Sequence, residues 1–284
     1  MPTECMPAER YAVFGNPVSH SLSPKIHALF AAQTGQDIRY EAICAPLDGF
    51  AEAVNTFIAA GGKGANVTVP FKVEAFNFAR QLTPRAQAAG AVNTLSFAAD
   101  GLRGDNTDGA GLVRDLVANL GVPLAGLRVL VLGAGGAARG VILPLREQNP
   151  AELFIANRTA DKAQVLAGVL GVTGGGFDDL NQRTFDLVIN ATSAGLSGAA
   201  LPTPTFSPDA LAYEMVYGVE TPFMQTARAA GARVADGLGM LVEQAAEAFY
   251  VWRGMRPDTA PVLAALRAQL RAQLNVHLTP RLNA

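Results

Sequence analysis

The stretch that most constrains the fold is Val129 to Leu132, a short apolar run, followed at once by Gly-Ala-Gly-Gly-Ala-Ala over Gly133 to Ala138. Gly133, Gly135 and Ala138 match Gly-x-Gly-x-x-Ala where a strand passes through a tight turn into a helix. The first glycine permits the turn. The second lets backbone N–H groups approach a pyrophosphate, and the helix N-terminus adds a favourable dipole for that anion. Gly-rich turn chemistry without a ligand is the plainer alternative, but strand, turn and helix in this order favour nucleotide binding.

The next apolar run, Glu152 to Ala156, ends in Asn157, Arg158 and Thr159, with Lys162 one turn further on. A site selective for NAD usually places Asp or Glu there to hold the ribose 2'-hydroxyl. A carboxylate would repel a 2'-phosphate, whereas Arg158 offers a planar fork, Thr159 a hydroxyl and Lys162 a second cation. The expected cofactor is therefore NADP. A surface arginine beside a helix starting at Thr159 is the alternative for Arg158. Asn190 to Leu196 closes another apolar strand, and its Thr192 and Ser193 suit the lining of a nicotinamide as well as an ordinary polar turn.

The chain has 284 residues, 50% hydrophobic and 16% charged, which suits two sizeable cores. Its formal net charge is -2 and no basic block stands out, so nucleic acid and anionic membrane surfaces are not expected partners. Cys5 and Cys44 have no metal-site spacing and are too few for a disulfide framework. The N-terminal MPTECMPAER lacks the apolar core of a signal peptide, and Leu127 to Leu145 is broken by Arg139 and several glycines. A cytoplasmic protein without a membrane segment is expected.

Apolar strands alternate with helical patterns over most of the chain. YAVFG, a helix from Ser23 to Thr34, RYEAICAP, a helix from Gly49 to Ala60 and GANVTVP predict βαβ units and a largely parallel sheet. RGDNTDG is expected to be a turn-rich hinge, and Ala110 to Leu120 a helix ended by Gly121 and Pro123. LRVLVLG, a helix from Gly136 to Glu147, ELFIANR, a helix from Ala160 to Leu170, FDLVINATS, LAYEMVY and RVADG predict a second parallel sheet. Gly174 to Gly176 is expected to be a short loop. The last two helices have apolar positions three and four apart and are expected to pack back on the first domain. The fold class is thus α/β: a substrate-binding domain over residues 1–107 with 239–284, facing a Rossmann-type domain over 108–238 across a cleft. Closure of that cleft about DNTDG and DGLGM is a further expectation.

The remaining polar clusters, SHSLSPKIH, NVTVPFK, GAVNT and DNTDG, supply hydroxyls, amides, one lysine and one acid. That inventory suits a small, polyhydroxylated, anionic substrate. Taken singly, Lys72 is equally a solvated loop residue and Asp108 a helix cap. His20, His27 and His277 lack metal-ligand spacing, and no metal is expected.

Together the motifs GNPVSHSLSPKIH, GANVTVPFK, GAVNT, GDNTDGAG, GAGGAARG, NRT, NATSAGL, EMVY and GLGMLVEQAAEAF resemble, nearly end to end and in order, those of the shikimate dehydrogenase family. The resemblance implies reversible NADPH-dependent reduction of 3-dehydroshikimate to shikimate, on the route to chorismate and aromatic amino acids. It also implies that Ser21 and Ser23 receive the substrate carboxylate, and that Asn66, Thr68, Asn93 and Gln244 wall the ring hydroxyls. Lys72 and Asp108 would then stand at the reacting carbon and Tyr217 at the cleft. On the cofactor it implies Gly133, Ala134, Gly135, Gly136, Ala137, Asn157, Arg158, Thr159, Lys162, Thr192, Ser193, Val216 and Gly237. A monomer or homodimer is expected. Within the pair, the Lys72 ammonium can hold an alkoxide, and Asp108 can act as base or only orient Lys72.

Three positions depart from the family's habit. Ala28 replaces an Asn, Glu214 replaces an Asp before Met215, and the loop after Tyr217 is short and lacks its usual proline. The rival readings are a quinate/shikimate dehydrogenase, which more often takes NAD, and a non-catalytic NADP binder. Arg158 speaks against the first, and Lys72 together with Asp108 against the second.

Overall fold

The computed structural model describes residues 8–98, 101–192, 194 and 201–278. The first sheet is built from β1 (Glu9–Gly15), β2 (Ile38–Cys44), β3 (Gly62–Val67), β4 (Gln81–Leu82), β5 (Thr94–Ala98) and β6 (Gly101–Asp105) in the order β2-β1-β3-β5-β6-β4. Only β5 runs against its neighbours. Helices α1 (Ser23–Thr34), α2 (Phe50–Ala59), α3 (Lys72–Phe78) and α4 (Pro84–Ala89) connect these strands. One face is sealed by Phe14, Phe50, Phe57 and Phe71.

The second sheet contains β7 (Arg128–Leu132), β8 (Glu152–Ala156), β9 (Thr173–Gly175), β10 (Thr184–Asn190), β11 (Thr205–Glu214) and β12 (Arg233–Asp236). All its pairs are parallel, and the order β9-β8-β7-β10-β11-β12 is that of a dinucleotide fold, with its switch point between β7 and β10. Along β7 successive residues go to opposite faces: Val129 and Val131 pack under α6 (Gly136–Arg146) and α7 (Ala160–Leu170), while Leu130 and Leu132 face α8 (Pro222–Ala229). Burial on both faces explains why Val129 to Leu132 are all apolar.

Helices α9 (Leu238–Arg253) and α10 (Ala260–Leu278) return to α1, and Ile26, Phe30, Val242, Phe249, Val262 and Leu266 form their shared core. Trp252 at the end of α9 donates its indole N–H to the Leu95 carbonyl on β5 at 3.0 Å. Between the sheets lies α5 (Asp108–Arg114), which widens into a π turn over Asp115–Asn119. Two glycines let it fit there. A Cβ on Gly109 would sit 2.5 Å from the Gly140 carbonyl, and one on Gly111 would sit 2.6 Å from the Gln244 backbone nitrogen. Pro144 has no N–H to offer the Gly140 carbonyl four residues back, and Gly109 crosses α6 at that gap.

Three expectations need correction. Gly174 and Gly175 belong to edge strand β9, since backbone pairing to Ile155 and Ala156 needs no side chain. Gly101–Asp105, expected in part as turn, is strand β6 paired antiparallel with β5. The helix expected from Ala110 starts two residues earlier, at Asp108.

Candidate active site

A cleft of about 750 Å³ runs between the carboxyl ends of the two sheets. One wall is the loop after β7. Gly133 has φ 107°, in the left-handed region that favours glycine, and a Cβ there would meet the Ala191 carbonyl oxygen at 3.1 Å. Gly135 and Gly136 face open space in which a Cβ would meet nothing within 4 Å, and α6 begins with no side-chain cap. The first-turn N–H groups of a long helix therefore point at an unobstructed cradle. These residues fit a pyrophosphate. Ala134, Ala137, Asn157, Thr192, Val216 and Gly237 line the same cleft.

Gly237 is required by close approach, because a Cβ would lie 2.1 Å from the Met215 carbonyl. Arg158, Thr159 and Lys162 are exposed beyond the end of β8 and are not part of the cleft lining. Ser193 lies outside the described residues.

The opposite wall is a connected set of polar side chains. Lys72, the first residue of α3, donates from Nζ to Asp108 Oδ2 at 2.6 Å, and Asp108 opens α5 with its side chain 8% exposed. Asn93 Nδ2 donates to Asp108 Oδ1 at 2.7 Å, and its Oδ1 accepts the Thr107 backbone N–H at 2.8 Å. The Asn93 amide also reaches Gln244 Oε1 at 3.3 Å on α9. Asn66 Nδ2 donates to the Asn93 carbonyl and to Thr94 Oγ1, while its Oδ1 accepts the Tyr40 hydroxyl at 2.7 Å. With both amide hydrogens used, Asn66 can offer a ligand only the remaining lone pair of Oδ1.

Ser21 and Ser23 stand together, the Ser23 N–H donating to Ser21 Oγ at 3.2 Å, and both line the cleft with Thr68 and Tyr217. Burial raises the Tyr217 phenol above its ordinary range, so at neutral pH it is a hydroxyl donor.

Sequence reasoning missed several supports. Tyr40, Thr94 and Thr107 hold the amides of Asn66 and Asn93. Tyr40 stacks on His27 with ring centres 4.1 Å apart, and burial pushes that imidazole down to about 3 against a weaker opposing influence of Asn66. Tyr40 and Thr94 in strands and Thr107 in the turn before α5 carry no local signal of such a role. His20 lines the cleft, and Cys44 is a free, exposed cysteine.

A dinucleotide fold whose switch point faces an ammonium–carboxylate pair and a wall of amides and hydroxyls defines a nicotinamide-dependent oxidoreductase. The comparisons with known proteins narrow this class. The shikimate dehydrogenase substrate binding domain matches residues 13–95, the shikimate / quinate 5-dehydrogenase family residues 115–197, and the shikimate 5'-dehydrogenase C-terminal domain residues 237–267. The NADP(+) shikimate dehydrogenase of Dechloromonas aromatica is 62% identical over 268 residues, spanning 92% of this chain and 98% of the relative. That of Methylobacillus flagellatus is 60% identical, spanning 91% and 99%. A crystal structure of shikimate 5-dehydrogenase from Thermus thermophilus, in complex with NADP(H) and shikimate, superposes with a TM-score of 0.83 at 38% identity and spans 92% of this chain and 99% of that one. The chain belongs to the shikimate dehydrogenase family.

Proposed function

We propose that this protein catalyses the reversible reduction of 3-dehydroshikimate to shikimate with NADPH, a step toward chorismate and the aromatic amino acids. The observation that carries this reading is the Lys72–Asp108 pair, held at 2.6 Å in a cleft whose other wall is the uncapped start of α6. NADP(H), when bound, supplies or takes the hydride. Gly133 to Ala137 would hold its pyrophosphate, Arg158, Thr159 and Lys162 its 2'-phosphate, and Asn157, Thr192, Val216 and Gly237 would frame the rest.

Ser21 and Ser23 receive the substrate carboxylate. Asn66, Thr68, Asn93 and Gln244 bond the ring hydroxyls, and Tyr217 closes the cleft beside them. In reduction, negative charge grows on the substrate carbonyl oxygen, and the Lys72 ammonium stabilises it by a charge-assisted bond that strengthens as the charge develops. The oxygen must end protonated, and in oxidation the hydroxyl proton must leave. Lys72 and Asp108 share one hydrogen bond, so both transfers belong to the pair as a coupled unit. The hydrogen bond from Asn93 keeps Asp108 aimed at Lys72 while the proton moves.

We divide the chain into a substrate domain, 1–107 with 239–284, and an NADP domain, 108–238. What supports this is that α9 and α10 share a core with α1, whereas β7 to β12 form a sheet of their own. Both cleft walls come from one chain, in a monomer or a homodimer, and the expected setting is the cytoplasm.

The test is the initial rate of nicotinamide reduction with shikimate or quinate crossed with NADP or NAD. Strong preference for shikimate with NADP is expected. Preference for quinate or NAD would overturn the specificity reading, and no turnover in any combination would overturn the enzymatic one.

A further inference from the structure

The structure assigns Glu214, which the proposed mechanism does not use, as a positioning residue that fixes the nicotinamide side of the cleft. The inference rests on the proposed NADP-dependent function. Glu214 ends β11 and is completely buried, and among the described residues no lysine, arginine or histidine forms an ion pair with it. A lone carboxylate in such a place is costly unless hydrogen bonds replace the lost water.

Three donors do so. Asn190 Nδ2 reaches Glu214 Oε2 at 2.7 Å, the Thr221 hydroxyl reaches the same oxygen at 2.8 Å, and the Val216 N–H reaches Oε1 at 3.2 Å.

Two of the three cannot turn round to accept. The Oδ1 of Asn190 is held by the backbone N–H and the hydroxyl of Thr192, at 3.1 and 2.7 Å, so its amide must present N–H to Glu214. The Thr221 oxygen accepts the Met224 N–H at the start of α8 while its hydroxyl donates to Glu214. Val216 contributes a backbone N–H. Asn190 and Val216 therefore set one fixed donor against each oxygen, and a carboxylate, which only accepts, satisfies both where an amide cannot.

The ring adds side-chain ties to the backbone pairing that joins β10 to β11, where the Met215 N–H also reaches the Asn190 carbonyl at 3.2 Å. One bond runs through Asn190 to Thr192 at the end of β10, and the others run to Val216 and to Thr221 across the short loop after Tyr217. Thr192 and Val216 both line the cleft. Tyr217 is held separately, its ring packing on the core shared by α1 and α9. Loss of Glu214 should therefore loosen the cofactor wall more than the substrate wall.

The test compares Glu214→Gln, Thr221→Val and Thr221→Ser with wild type by NADPH fluorescence titration, by separate KM values for NADPH and shikimate, and by melting temperature. Glu214→Gln should weaken NADPH about tenfold, because an N–H is forced against fixed donors. Thr221→Val should weaken it about threefold, and Thr221→Ser should restore wild-type binding. The KM for shikimate should stay within about twofold. A folded Glu214→Gln variant with wild-type NADPH affinity would overturn the assignment, even if its melting temperature fell. If Glu214→Gln does not fold, wild-type NADPH affinity in Thr221→Val would overturn it instead. Wild-type protein that fails to bind NADPH would defeat the proposed function itself, which keeps the two failures distinct.

Discussion

On the substrate side of the cleft the functional side chains are bonded to one another before any ligand arrives: Lys72 to Asp108, Asp108 to Asn93, Asn93 to Gln244. On the other side the groups proposed to bind the cofactor are backbone N–H groups at an uncapped helix, while Arg158 and Lys162 are exposed. The first wall is ordered by its own network, so little side-chain freedom remains to be lost on binding. The second takes its rigidity from backbone geometry, and on the proposed function its charges are ordered by the 2'-phosphate they would meet. Substitutions on the two sides should therefore fail differently.

The largest effect is expected at the dyad. Lys72→Ala should lower kcat about a thousandfold, within the range of general acid–base catalysis, while the melting temperature stays close to wild type. The ion pair sits at the rim of the network, and Asp108 keeps its bond from Asn93 after Lys72 is gone. Wild-type turnover in this variant would reduce the pair to a structural bridge. Next in size, Arg158→Ala should weaken NADP by about 1.5–3 kcal/mol, the scale of hydrogen bonds to a charged group, and leave NAD unchanged. Parallel losses for both cofactors would remove Arg158 from the 2'-phosphate.

Two glycine substitutions sharpen the contrast. In Gly111→Ala the new Cβ would press on the backbone of α9, 2.6 Å from Gln244 N, and should cost about 1–3 kcal/mol of stability. Gly135→Ala meets nothing within 4 Å and should fold like wild type, yet bind NADPH less tightly because the methyl stands where the pyrophosphate approaches. Calorimetry and titration of both proteins would show whether stability loss and binding loss separate in this way. A Gly135→Ala variant with intact affinity would sink the cradle.

The elements most legible in the sequence are those whose requirement is local. The turn at Gly133 announces itself because a strand, a positive-φ glycine and a helix start are adjacent in the chain. β9 was hidden because Thr-Gly-Gly has no side-chain pattern, its place being set by pairing with β8. β6 was masked by Asp105, Asn106 and Thr107, residues typical of turns, although Asp105 is buried beside Arg85. The substrate wall was legible only as a joint match to one family. Its internal wiring, such as Tyr40 to Asn66 or Asn93 to Gln244, joins residues on different elements, and no local spacing encodes it.

The smallest effect uses pH to separate the two sides. His27 lies in the substrate half, fully buried, with its folded-state pKa lowered from 6.5 to about 3 by burial. The unfolded chain therefore binds a proton that the folded chain refuses between those values, and the stability tied to neutral His27 is complete above pH 6.5 and lost as pH falls toward 3. In the cofactor sheet, the side-chain bonds from Arg128 hold Asp186 well below the usual carboxylate range, so its contribution persists to lower pH than that of His27. Melting temperature followed from pH 7 downward should thus fall less steeply in His27→Gln than in wild type, whatever the offset at pH 7, because glutamine does not titrate there. Identical slopes would mean that the unfolded and folded chains protonate His27 alike, and that the stack against Tyr40 is open enough to admit a charge.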